Sequence, residues 1–216
     1  MSIIQLVNVS KIISKQPVLN DISLDLSKGQ IYAFFGANGS GKSMLFRAIC
    51  GLIIPTSGEV IVQGKTLHKD CSFPMSIGVI IESPGFWEPY TGIENLKMLA
   101  SIKNQINEQD IKNAITRVGL NPNDPRPFRK YSLGMKQRLS IAQAIMERPD
   151  IIILDEPTNG LDEDGVDLVR ALILEEKSRG ATILIASHNK EDLELLADHK
   201  FRMRDGNVTL IVEDDR

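Results

Sequence analysis

One stretch constrains this chain more than any other: Gly36-Ala37-Asn38-Gly39-Ser40-Gly41-Lys42-Ser43. It follows Ile31-Tyr32-Ala33-Phe34-Phe35, an apolar run of strand length. It precedes the apolar-rich run from Met44 to Leu52, which reads as a helix stopped near Gly51. Strand, glycine loop and helix together make the setting of a phosphate-binding loop. Gly36, Gly39 and Gly41 let the backbone turn tightly enough for successive N–H groups to face phosphate oxygens. The helix start adds free N–H groups and the positive end of its dipole. Lys42 is expected to reach the β- and γ-phosphates and the Ser43 hydroxyl to bind Mg²⁺, with Asn38 and Ser40 completing the cradle.

The rest of the chain supplies strands and helices in alternation. Ile3 to Val9 is of strand length. Ile22, Leu24 and Leu26 alternate with polar residues, as in a strand with one wet face. Glu59 to Val62 reads as a strand after the turn Pro55-Thr56-Ser57-Gly58, and Ile77 to Ile81 as a buried one. From Ile93 to Val118 the pattern is helical and polar, with Asn107 placed to cap a second segment. Pro122, Pro125 and Pro127 stiffen the connection to a helix from about Leu133 to Arg148. Ile151 to Leu154 and Thr182 to Ala186 are apolar at nearly every position, as in strands covered on both faces. Between them, Val169, Leu172, Ile173 and Glu176 recur at helical spacing, and Gly180 follows as a stop. Lys190 to Ala197 reads as a short helix, and strands near Phe201 and from Val208 to Val212 close the chain. The pattern predicts an α/β fold with a mainly parallel sheet.

Composition limits the function. Net charge is −3, so no broad basic field attracts nucleic acid. The two cysteines, Cys50 and Cys71, form no metal or redox pattern and are expected as buried free thiols in a reducing cytoplasm. The N-terminus lacks the pattern of a signal peptide. No run approaches the length of a membrane span.

Ligands of α/β sheets lie at the carboxyl ends of parallel strands. There Ile151–Leu154 leads into Asp155-Glu156. Asp155 is placed to hold Mg²⁺, and Glu156 to orient or deprotonate an attacking water. The strand ending at Ala186 leads to Ser187-His188, where a histidine can hydrogen-bond the γ-phosphate or the water. Ser132 sits where an N-cap belongs, at a helix start that can bind an anion.

Taken in order, these sites resemble the ATP-binding subunit of an ABC transporter over nearly the whole chain. Walker A matches as GANGSGKS and Walker B as IIILDE. The signature loop matches as Tyr131-Ser132-Leu133-Gly134-Met135-Lys136-Gln137-Arg138, the D-loop as Asn159-Gly160-Leu161-Asp162, and the H-loop as His188. Glu82, the following SPGFW, and Thr91 to Leu96 resemble the bacitracin and lantibiotic resistance branch of ABC exporters.

The resemblance implies a P-loop NTPase core with an N-terminal antiparallel β subdomain and an inserted α-helical subdomain. All of residues 1–216 would form one ABC ATPase domain: 1–85 and 150–216 as the nucleotide-binding core with its β subdomain, 86–149 as the helical subdomain. It implies ATP and Mg²⁺ as cofactors and ATP hydrolysis as the activity. Glu156 and His188 would be catalytic. Gly36, Asn38, Gly39, Ser40, Gly41, Lys42, Ser43, Ser132 and Gly134 would bind the nucleotide, and Ser43, Asp155 and Glu82 the metal. The partners implied are a separate transmembrane permease subunit, met in part by Phe86-Trp87-Glu88-Pro89-Tyr90, and a second ATPase subunit in a nucleotide-dependent head-to-tail dimer. No nucleic-acid partner is implied. The site implied is the cytoplasmic side of the membrane, with export of a peptide, antibiotic or other small molecule.

Three positions depart from the family pattern. Ile13 stands where an aromatic usually stacks on adenine. Glu82 stands at the Q-loop glutamine, adding negative charge near phosphate. Met135 replaces the polar residue that ends the signature. Two rival readings have their own signals. Asn189-Lys190-Glu191-Asp192 matches the string with which GTPases read guanine, but Asp155-Glu156-Pro157-Thr158 does not match their DxxG string. A soluble ABC ATPase of DNA repair or translation would usually carry a second cassette or a long coiled-coil insertion.

Overall fold

The order of five parallel strands in one sheet sets where the chemistry can occur. The structure is a computed structural model and describes residues 1–82 and 85–211. Ser83, Pro84 and Val212, read above as loop and strand, lie outside the described residues. The chain opens with a long antiparallel hairpin, β1 (Ser2–Ile13) and β2 (Gln16–Ser27), then β3 (Ile31–Phe35) and α1 (Lys42–Ile49). β4 (Ser57–Val62), β5 (Lys65–Thr66) and β6 (Ile77–Ile80) follow. The helices α2 (Gly92–Lys103), α3 (Glu108–Arg117) and α4 (Leu133–Ile145) intervene before β7 (Ile151–Asp155). The chain continues with α5 (Glu163–Ser178), β8 (Thr182–Ala186), α6 (Lys190–Leu196), β9 (His199–Arg204) and β10 (Asn207–Ile211).

The larger sheet has the order β10-β9-β3-β8-β7-β6, parallel except for the terminal β9–β10 hairpin. The smaller sheet, β2-β1-β4-β5, is antiparallel. This is the α/β arrangement that the alternating strands and helices predict.

Alternate residues of the central strands feed two separate cores. Ile152, Leu154, Ile183 and Ile185 face the core shared with α2 to α5. Ile151, Ile153, Leu184 and Ala186 face the core beneath the smaller sheet and α1. Both faces of β7 and β8 are therefore dry, which is why their sequences are apolar throughout.

Helix starts follow local chemistry. Asn107 caps α3 in a box with Asp110, Thr91 caps α2 in a box with Glu94, and Ser132 caps α4. On the buried face of α5, Glu176 is 2% exposed and is held by Arg117 (2.6 Å) and Arg179 (2.8 Å). That pairing is how a carboxylate occupies an apolar position.

Some expectations change in detail. β1 runs to Ile13 and β2 starts at Gln16, well beyond the apolar alternation. Register shifts along the pair break the period-two pattern. Cys50 is buried, and burial pushes its thiol up to about 12, whereas Cys71 is only half-buried. The aromatic loop divides. Phe86 packs edge-on against Phe128 with ring centroids 5.0 Å apart, while Trp87 and Tyr90 are exposed. Asn95, wholly buried on α2, holds that loop: its Oδ1 accepts from the Trp87 N–H, and its Nδ2 donates to the carbonyls of Trp87, Tyr90 and Thr91.

Candidate nucleotide site

Register brings the chemistry to one edge. Phe34 pairs with Ala186, Ala186 with Asp155, and Ile80 with Leu154. The glycine loop, Asp155-Glu156, Ser187-His188 and Glu82 therefore all leave the sheet at the same carboxyl end. A cleft of about 970 Å³ opens there, lined by Asn38, Lys42, Ser43, Glu82, Asp155 and Glu156 among others.

Within the loop, Gly41 has φ +108°, and a Cβ there would lie 2.8 Å from the Val18 carbonyl oxygen. At Gly36 a Cβ would sit 2.1 Å from the Met203 carbonyl oxygen. Only glycine suits either place. Lys42 donates to the carbonyls of Gly36 (2.8 Å) and Ala37 (3.3 Å), so its ammonium curls over the loop it must serve. Ser40 is buried, and its Oγ has no hydrogen-bond partner among the described residues.

Ser43 Oγ donates to Asp155 Oδ2 at 2.6 Å. Burial raises the Asp155 carboxyl above its ordinary range. Ser43 and Lys42 oppose this, and the neighbouring charges of Glu156 and Glu82 add to it. Two hard oxygens side by side, one on a carboxylate that lacks enough positive compensation, suit a divalent cation. Glu82 lines the same cleft, but its Oε1 accepts from Arg47 on α1 at 2.8 Å.

Glu156 Oε2 lies 2.7 Å from His188 Nδ1. Its backbone is left-handed, with φ +52°. Its N–H donates to the Ala186 carbonyl at 2.8 Å. Gln137, on the second turn of α4, donates from Nε2 to the carbonyls of Glu156 and Pro157, both at 3.1 Å. Ser132 and Gly134 do not line the cleft, although Leu133, Lys136 and Gln137 of the same helix do. Ser132 is exposed at the start of α4, where its Oγ accepts from the Met135 N–H, and Gly134 lies beside Gly160 and Leu161. Ile13 is 43% exposed at the tip of the β1–β2 hairpin, while Val18 reaches the cleft.

The Asn189–Asp192 string has a structural use. Asn189 caps α6 by accepting from the Glu191 N–H, and Asp192 is buried against Thr158, Ser187 and Arg170. Asp192 is thus not free to read a base. Sequence reasoning does not connect Gln137, Thr158 and Asp192 with the Glu156 and His188 segments, since those contacts span 19 and 34 residues of chain.

Residues 19–159 match the family described as ABC transporter. A Bacillus subtilis relative, the uncharacterized ABC transporter ATP-binding protein YybJ, is 51% identical over 95% of this chain and 94% of its own length. The chain belongs to the ABC transporter ATP-binding family. This cassette is 38% identical to the Streptococcus pyogenes lantibiotic transport ATP-binding protein SrtF, over 96% of this chain and 90% of that one. It is also 38% identical to the Enterococcus faecalis bacitracin transport ATP-binding protein BcrA, over 95% of this chain and 68% of that one.

Among solved structures, an ATP-binding subunit of an ABC transporter superposes with a TM-score of 0.86 at 26% identity, covering 97% of this chain and 90% of that one. The fold is also that of the ATP-binding cassette MJ0796, solved as a dimer in a post-hydrolysis state with ADP and Pi. That match has a TM-score of 0.87 at 20% identity and covers 98% of this chain and 100% of that one. The cassette is an ATP-binding, ATP-hydrolysing subunit that powers a transporter through a membrane subunit. Among the described residues no helix is long and apolar enough to cross a membrane.

Proposed function

We propose that two copies of the cassette close head to tail on ATP, and that Glu156 is the base that activates water. The observation that carries the reading is the Glu156–His188 contact at 2.7 Å, at the same sheet edge as Lys42 and the Ser43–Asp155 pair. Lys42 is placed to leave its loop carbonyls for phosphate oxygens, which offer more charge. The loop N–H groups, with Asn38 and Ser40, wrap the phosphates. Ser43 and Asp155 would hold Mg²⁺, with Glu82 joining after it leaves Arg47; bound there, the ion would screen the triphosphate charge. His188 orients Glu156 and is within reach of the same water.

The capped start of α4 is exposed, so Ser132 and Gly134 are available to a second copy's γ-phosphate rather than to their own. Loss of that phosphate removes what the second copy grips, and the pair loosens. The region 86–149 acts as the helical subdomain, and Trp87 and Tyr90 offer apolar surface to a permease on the cytoplasmic side of the membrane. The lantibiotic and bacitracin names of the relatives support export of a peptide, antibiotic or other small molecule.

Glu156→Gln tests the reading. The amide keeps the volume and the hydrogen bond to His188 but cannot take a proton. Turnover should fall about 10²- to 10⁴-fold, while Mg-ATP accumulates a dimer on size exclusion. Parental turnover in this variant would remove Glu156 as the base.

A further inference from the structure

We propose that Asp192 is a positioning residue for hydrolysis, strapping the turn after Glu156 to the strand end that carries His188. The inference rests on the reading of Glu156 as the base. Asp192 lies on α6 and is 1% exposed. Its Oδ2 accepts from Thr158 Oγ1 at 2.6 Å and from Ser187 Oγ at 3.2 Å, and its Oδ1 accepts from Arg170 Nε on α5 at 2.8 Å. Thr158 is two residues beyond Glu156, and Ser187 immediately precedes His188. One buried carboxylate thus spans the two segments whose side chains meet on the other side at 2.7 Å.

Stability alone does not account for this choice. A buried ion pair is commonly no better than apolar side chains of similar volume, and the same helix already buries Leu193 and Leu196. A carboxylate at this place adds directional bonds to both segments at once. The turn has reason to need them, because Glu156 is held in a left-handed backbone that a non-glycine residue leaves readily. Displacement of a catalytic group by about 1 Å can cost about 10²-fold in rate.

Thr158→Val removes the hydroxyl and keeps the shape. In the purified cassette it should lower kcat about tenfold and leave the KM for ATP within about twofold, while the thermal midpoint falls by only a few degrees, as for one lost hydrogen bond to a carboxylate. Thr158→Ser restores the donor and should recover kcat to within about twofold of the parent. Asp192→Asn combined with Thr158→Val should fall no further than the worse single variant, since both break the same strap. Parental kcat in Thr158→Val, equal losses in Thr158→Val and Thr158→Ser, or additive losses in the double variant would each overturn the proposal. If Asp192→Asn fails to fold, the valine and serine variants decide alone. Glu156→Gln run alongside separates the two readings. Activity there defeats the base assignment, whereas an inactive Glu156→Gln beside a fully active Thr158→Val defeats only the strap.

Discussion

Replacing Gln137 by leucine should slow hydrolysis without weakening ATP binding. The side chain is half-buried, and leucine fills nearly the same space, so little packing is lost. What goes is a pair of hydrogen bonds, from Gln137 Nε2 to the carbonyls of Glu156 and Pro157, each at 3.1 Å. At about 0.5–1.5 kcal/mol apiece, they contribute about 1–3 kcal/mol. The left-handed backbone of Glu156 costs a similar amount, about 1–2 kcal/mol. The two nearly balance, so loss of the clamp lets the turn relax and depopulates the arrangement that faces His188. A shift of about 1.4 kcal/mol is a factor of ten.

Phosphate release at saturating Mg-ATP should therefore drop about tenfold, with the KM for ATP within about threefold. The melting midpoint should fall by roughly 2–12 °C. Gln137→Glu has the right length, but its ionised carboxylate can only accept. It should be as poor as leucine. Parental kcat in both variants would show that the Glu156 turn holds itself.

Three further outcomes follow from the same contacts. Ser132→Ala removes the α4 cap and should cost about 1 kcal/mol of stability; placed in the Glu156→Gln background, it should abolish the ATP-dependent dimer on size exclusion while ATP still binds the monomer. Glu176→Ala strips the carboxylate from Arg117 and Arg179 beside the core shared by α2 to α5 and should destabilise by about 3 kcal/mol. A calorimetric midpoint roughly 6–12 °C lower, with ATP affinity unchanged, would match that. The third outcome concerns pH. Burial raises Asp155, so the fold binds this proton more tightly than the unfolded chain does, and the fold gains stability from this group as pH falls through the raised value toward the ordinary 3.8. Asp155→Asn should then melt higher than the parent at pH 7, the gap should close on acidification, and turnover should be lost. A gap that widens on acidification would reverse the assignment.

Much of the site could be read in the chain because its parts are contiguous. The phosphate loop, the run from Ile151 to Asp155 and the run from Thr182 to His188 each contain both a strand and the residue it delivers. β3 and β8 begin and end where their apolar runs do, and β7 extends only to the acid itself. Those runs are clean because both faces are covered. The hairpin β1–β2 outruns its apolar alternation for the opposite reason. One face is wet, bulges shift the register, and the turn is made by Ser14 and Lys15 in left-handed backbone rather than by glycine.

The partners of the site could not be read, because sheet order creates them. Gln137 meets Glu156 across 19 residues, and Thr158 meets Asp192 across 34. Neither meeting is implied by a period or a spacing, and Asp192 lay inside a string that suggested guanine recognition. Burial decides between those uses. An aspartate that reads a base must keep a lone pair free in an open cleft, whereas Asp192 has both oxygens engaged at 1% exposure. Ser187 and Asn189 belong to the same arrangement: the Ser187 hydroxyl donates to Asp192 and accepts from the Asn189 N–H, while the Asn189 side chain starts α6. The stretch from Ser187 to Asp192 thus places His188 on a short turn pinned at both ends. That is the rigidity required of a side chain that must meet Glu156 across two strands.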